Sequence, residues 1–238
     1  MRHFSVLSLC LLAAACFGSP LPSQAPGDLA QRTVQKDGVN YPFVVFVPTT
    51  SSAGTALPAM LLVHGAGGNG PDFLATWQSF AESHGIILVA PTLDLSAAAE
   101  VNVPVVFPAI MDAVRREWSV DASRLYVFGY SAGGYFAFDA ALLNSTYFAA
   151  AGIFASVIQP EYDGVAKQAV RRTGIAMYMG DRDQYFTLAQ ARRTRDLLQA
   201  NGVDVRYVEL PNQGHDYLTA SAYVNADAWA FMSGHRIP

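Results

Sequence analysis

Six apolar runs recur along the chain: LPAMLLVHG (57–65), IILVAPTL (86–93), RLYVFGYS (124–131), AAAGIFASV (149–157), IAMYMGD (175–181) and DVRYVEL (204–210). Runs of this length without polar alternation suit strands buried on both faces. Such strands need helices above and below a mostly parallel sheet, and each parallel pair needs a crossover between its members. The intervening stretches meet that demand. Residues 71–84 carry Phe73, Trp77, Phe80 and Ala81 at helical spacing and stop at Gly85, which suits a left-handed cap. Residues 105–118 set Val106, Ile110, Val114 and Trp118 on one stripe. Thr187 and Gln190 form a capping-box pair whose helix should end at Asn201-Gly202, and a last helix is expected near 221–233.

The fold class that follows is α/β. Ahead of the alternating region, RTVQKDGVNYPFVVFVP (32–48) reads as a hairpin turning at Asp37-Gly38. No linker, repeat or change of composition divides residues 31–238. They are expected to form one catalytic domain without a large lid.

The first residues put a short basic end, an apolar run and small residues ahead of a Pro/Ser-rich tail. This is the pattern of a secretory signal peptide, and the run is too short for a membrane span. The boundaries read from it are a signal over 1–18 and a flexible linker over 19–30. Both cysteines, Cys10 and Cys16, fall in this leader, so the domain is expected to fold without disulfides. Cys16 follows LLAAA, an imperfect lipobox; lipidation there would anchor the domain to a membrane, and ordinary cleavage near Gly18 would release it. With 52% hydrophobic residues, a net charge of −4 and no basic stripe, the chain offers nucleic acid no footprint.

Three features fall where predicted strands end, which is where open α/β sheets hold ligands. Gly129-Tyr130-Ser131-Ala132-Gly133 satisfies G-x-S-x-G in a strand, turn, helix context, and makes Ser131 the candidate nucleophile. LLVHGAGGNG (61–70) runs a strand into a flexible turn whose main chain, through Ala66, would bind an oxyanion together with the N–H of Ala132. The loop lacks G-x-x-x-x-G-K-[ST], which argues against a phosphate loop. His64 is expected to hold this loop and not to act as a base. Further on, GDRD (180–183) and Gly214-His215-Asp216 complete the chain order of serine, acid, histidine. The G-x-x-D arrangement favours Asp183 over Asp181 as the acid. No metal-ligand spacing such as H-E-x-x-H occurs. Tyr130, Asn69, Gln159, Tyr185 and Tyr217 lie beside these turns and are expected either to shape an acyl or aryl pocket or to pack beneath it.

VHGAGGNG, WSVDASRLYVFGYSAGG, MGDRD and GHDYL together resemble the α/β-hydrolase superfamily, in particular its secreted esterase branch of polyhydroxybutyrate depolymerase-like and feruloyl esterase-like proteins. The resemblance spans roughly residues 40–235. It implies a Ser131, Asp183, His215 triad, oxyanion N–H groups from Ala66 and Ala132, no cofactor, and small-molecule or oligomeric esters as substrates. Tyr130 stands where relatives often carry Leu, Cys or His, so it is where substrate preference is expected to differ. The competing readings are a peptidase or a polyester or lactone hydrolase on the same machinery, or a non-catalytic binding protein on the same scaffold.

Overall fold

The computed structural model describes residues 27, 29–49, 54–95 and 101–238. The leader, Cys16 and most of the stretch read as a linker lie outside them.

Eight strands of the described residues form a single sheet: β1 (Leu29–Lys36), β2 (Val39–Phe46), β3 (Leu57–Val63), β4 (Ile87–Pro91), β5 (Val120–Tyr130), β6 (Ala150–Phe154), β7 (Gly174–Gly180) and β8 (Asp204–Leu210). Their order is β1-β2-β4-β3-β5-β6-β7-β8. β1 and β2 pair antiparallel, as do β2 and β4; every later pair is parallel. The β1–β2 turn uses Asp37 at φ 51° and Gly38 at φ 80°, the two left-handed positions of a tight hairpin. β1 begins at Leu29, two residues ahead of the boundary read at 31. Ala30 is the reason: it is buried and pairs with Val45, so it already belongs to the sheet.

The helices are α1 (Gly70–His84), α2 (Val103–Glu117), α3 (Ala132–Leu143), α4 (Leu188–Ala200) and α5 (Ser221–Met232). α1 stops at Gly85, φ 65°, whose N–H bonds Ala81 O. α4 opens on the expected box: Gln190 N donates to Thr187 Oγ1 at 3.2 Å, and Thr187 N to Gln190 Oε1 at 2.9 Å. A 3₁₀ helix over Pro160–Lys167, which the sequence reading did not foresee, follows β6.

Side chains of the central strands go alternately to two cores. In β3, Leu61 and Val63 join Val106, Ile110 and Val114 of α2 on one face. Met60 and Leu62 meet Trp77 and Ala81 of α1 and Val224 and Ala228 of α5 on the other. Burial on both faces is why these strands read as unbroken apolar runs. The carboxyl ends of β3, β5, β7 and β8 therefore all open toward one end of the sheet.

Candidate active site

β5 ends at Tyr130 and α3 begins at Ala132, leaving Ser131 alone on the turn at φ 54°, ψ −120°. A residue with a Cβ holds that conformation only where its surroundings enforce it. Ser131 N donates to Phe154 O at 2.9 Å, and Gly134 N to Ser131 O at 2.8 Å. The flanking glycines are steric requirements. A Cβ on Gly129 would stand 2.3 Å from Gly133 O, and one on Gly133 would stand 2.2 Å from Val63 O. Strand β5, helix α3 and the end of β3 can approach this closely only without those carbons.

His215, on the loop after β8, reaches both partners. Its Nε2 lies 2.8 Å from Ser131 Oγ and its Nδ1 2.7 Å from Asp183 Oδ2. The Asp183 side chain is fully buried. Its other oxygen, Oδ1, accepts the backbone N–H groups of Tyr185 (2.8 Å) and Phe186 (3.0 Å), so the carboxylate is fixed by its own loop. Asp181 is exposed, and its N–H serves the chain path by bonding Leu210 O. The Arg182 guanidinium pairs with the Asn212 side chain. Asp216 is exposed and turns to Leu218 N at 3.0 Å. The His215 loop is strapped by Gln213, whose amide reaches the carbonyls of Gly214 (3.1 Å) and Asp216 (2.6 Å) and the Thr219 hydroxyl (2.8 Å). Gln213 was not singled out from the sequence.

With Nδ1–H donating to Asp183, Nε2 of a neutral His215 is left to accept the Ser131 proton. The Tyr185 ring stands edge-on to the imidazole at 4.6 Å, and Tyr130 lies tilted against it at 5.4 Å.

His64 is buried and its ring bonds Gly65 O through Nδ1 (2.7 Å) and Leu93 N through Nε2 (3.1 Å). Nε2 can only accept from an N–H, so Nδ1 carries the proton and the ring is neutral. Burial lowers its pKa in the same sense. The Gly65 carbonyl also accepts Gly68 N at 3.1 Å. In a trans peptide the following N–H points opposite to the carbonyl, so pinning Gly65 O turns the Ala66 N–H away from the His64 ring. Gly65 itself sits against Tyr130 and Ser131: a Cβ there would be 3.0 Å from the Tyr130 ring and 3.4 Å from Ser131 Cβ. Ala132 starts α3, where the first N–H groups have no acceptor within the helix.

Two cavities flank the turn. One of about 250 Å³ is walled by Gly65, Ala66, Asn69, Tyr130 and Asp216–Leu218. The other, about 520 Å³, is lined by Ala132, Tyr135, Asp139, Ile158, Gln159 and Tyr162 among others. Gln159 thus lines the larger cavity and Tyr130 the smaller. Tyr185 is exposed above His215 and borders neither. Two of the expected pocket residues, Asn69 and Tyr217, border the smaller cavity and also have structural duties. The Asn69 amide is committed to capping α1, accepting Asp72 N at 2.9 Å and donating to Asp72 Oδ2 at 2.7 Å. Tyr217 is buried beneath that cavity: its ring packs against Phe73, Phe154 and Tyr130, and its hydroxyl bonds Asn225. Among the described residues no three His, Cys, Asp or Glu side chains are grouped to hold a metal ion, and no helix is long and apolar enough to cross a membrane.

The family model described as Dienelactone hydrolase family matches residues 103–233, more than half of the chain and all of Ser131, Asp183 and His215. The chain belongs to the dienelactone hydrolase family. Among curated proteins, none matches this sequence. This dienelactone hydrolase family member is similar in structure to a thermostable esterase (TM-score 0.69, 20% identity), covering 88% of this chain and 63% of that one. It is similar to Staphylococcus aureus FphF, a fluorophosphonate-binding serine hydrolase (TM-score 0.71, 17% identity, 87% of this chain and 99% of that one). It is also similar to Thermogutta terrifontis esterase 2 (TM-score 0.70, 16% identity, 91% and 97%). At these identities the likeness concerns the fold, which is the α/β-hydrolase fold.

Proposed function

We propose that this dienelactone hydrolase family member is a serine hydrolase that cleaves carboxylic esters through an acyl-enzyme intermediate, with Ser131, His215 and Asp183 as its triad. The observation that carries the reading is His215 bridging Ser131 Oγ and Asp183 Oδ2 at 2.8 and 2.7 Å.

Ser131 Oγ attacks the ester carbonyl carbon as its proton passes to His215 Nε2, and Asp183 stabilises the imidazolium through Nδ1–H. The carbonyl oxygen becomes an oxyanion held by the Ala66 and Ala132 N–H groups. On collapse the C–O bond to the alcohol breaks and His215 returns the proton to the departing oxygen. Water, deprotonated by His215, repeats the sequence on the acyl-serine and frees the acid. Lactones are esters closed into a ring, and the same steps open them. The leader sequence supports an exported enzyme, with Cys16 as the place where a lipid would attach.

The test is labelling and turnover. FphF is a fluorophosphonate-binding serine hydrolase and Thermogutta terrifontis esterase 2 is phosphorylated by paraoxon, so a fluorophosphonate probe suits this chain. The probe is expected to label Ser131 and to block p-nitrophenyl acetate hydrolysis. Turnover undiminished in Ser131→Ala overturns the reading.

A further inference from the structure

The larger cavity beside Ala132 holds one feature that ester cleavage does not use. Its walls are mostly apolar, with Leu95, Phe136, Phe138, Ile158 and Val165 among them, yet Asp139 belongs to its lining. No donor among the described residues reaches its carboxyl. Arg193, the guanidinium on the neighbouring helix α4, is taken by Asp163 and by Ile158 O. Burial pushes the Asp139 carboxyl up to about 6, and no neighbouring charge offsets it. Asp139 is half-buried, and a carboxylate partly withdrawn from water without a partner is a cost to the empty protein that a ligand carrying the missing donor reduces.

Position ties this group to the chemistry. Ala132, Tyr135, Phe136 and Asp139 follow helical spacing along one face of α3. Asp139 lies about two turns, or about 10 Å, from the Ala132 N–H that faces the oxyanion. The alcohol leaving group must sit beside His215 to be protonated, and the residues that follow His215, Asp216–Leu218, wall the smaller cavity and not the larger. The acyl chain therefore runs into the larger one.

Resting on the esterase reading above, we propose that Asp139 is a specificity-determining residue that selects acyl chains ending in a cationic hydrogen-bond donor, a protonated amine at the far end of an aliphatic or aromatic spacer. The apolar walls take the spacer, and the carboxylate pairs with the ammonium where water is scarce. A terminal carboxylate in the same place meets a like charge and is rejected.

The experiment compares kcat/KM for methyl ε-aminocaproate, methyl heptanoate and monomethyl adipate at about pH 8, in wild type, Asp139→Asn and Asp139→Glu, with fluorophosphonate labelling of Ser131 as the check that each variant has a competent site. Wild type is expected to prefer the amine over the neutral chain, with adipate last. Asp139→Asn is expected to lower the amine-to-neutral ratio by about tenfold or more, the worth of a charge-assisted bond, and Asp139→Glu to keep a ratio above that of Asp139→Asn. A ratio unchanged in a labelled Asp139→Asn overturns the proposal while leaving the esterase reading standing. A wild type that neither labels nor turns over any of the three esters overturns both.

Discussion

Tyr185 serves the site twice: its ring stands edge-on to the His215 imidazole at 4.6 Å, and its backbone N–H holds Asp183 Oδ1 at 2.8 Å. The two roles separate by substitution. Tyr185→Ala uncovers the imidazole and keeps the N–H, so kcat/KM for p-nitrophenyl acetate is expected to fall by less than about tenfold. Tyr185→Pro also removes a donor to a buried carboxylate, a loss of about 1–3 kcal/mol. Its kcat is expected to lie well below that of Tyr185→Ala, and equal rates would show that the N–H holds nothing that matters.

Asp183 and Asp181 are two residues apart and differ wholly in surroundings. Asp183→Asn replaces the acceptor of His215 Nδ1–H with a side chain that can present a donor, favouring the wrong tautomer, and is expected to lower kcat by about four powers of ten. Asp181, exposed and out of reach of His215, is expected to tolerate Asn with kcat within about twofold, since surface changes of this kind are worth only tenths of a kcal/mol. Steady-state kinetics on purified variants checks both.

Gly133→Ala places a carbon 2.2 Å from Val63 O and 2.4 Å from His64 O, both backbone atoms that cannot swing aside. Overpacking at so rigid a junction costs about 3 kcal/mol or more. The expected result is a lowered Tm together with loss of Ser131 labelling. A variant that melts and labels like wild type would mean the turn is far looser than its packing.

Asp139 also sets a pH dependence of stability. Its carboxyl is raised from 3.8 to about 6 by burial, so the folded protein holds a proton that the unfolded chain has released. The stability linked to that proton is fully present below the unfolded value and is lost as pH rises through about 6. Asp139→Asn removes the half-buried charge. Its Tm is therefore expected to exceed that of wild type at about pH 8, with the gap closing by about pH 4. A constant gap across that range counts against a desolvated carboxyl.

What was legible in the sequence was what steric or periodic demands write locally. Met60 and Leu62 go to one core and Leu61 and Val63 to the other, so β3 had to be apolar throughout. Gly129 and Gly133 stand where no Cβ fits, so the turn announced itself. The rest depends on residues brought together from afar. Asn69 adjoins the loop and does border the smaller cavity, and Asp72 three positions on was the sign of its second duty as a helix cap. Tyr217 was expected either to shape the pocket or to pack beneath it, and it does both, bordering the smaller cavity while its ring packs among aromatics of β5, β6 and α1. Asp139 was passed over within YFAFDAALL because α3 is apolar on nearly every side. A single acid in such a helix was a signal, and its meaning needed the Pro160–Lys167 segment, which no periodicity foretold.

The two cavities on either side of Ser131 have a kinetic consequence. On the acyl-enzyme and acyl-pocket readings proposed above, the smaller chamber empties when the alcohol departs while the acyl chain still fills the larger, and the acyl-serine waits with one side open to solvent. A small alcohol enters that space by the same route as water, and His215 takes a proton from either. The proposed intermediate would thus be a branch point between hydrolysis and transesterification, with the make-up of the surrounding solvent dividing the flux.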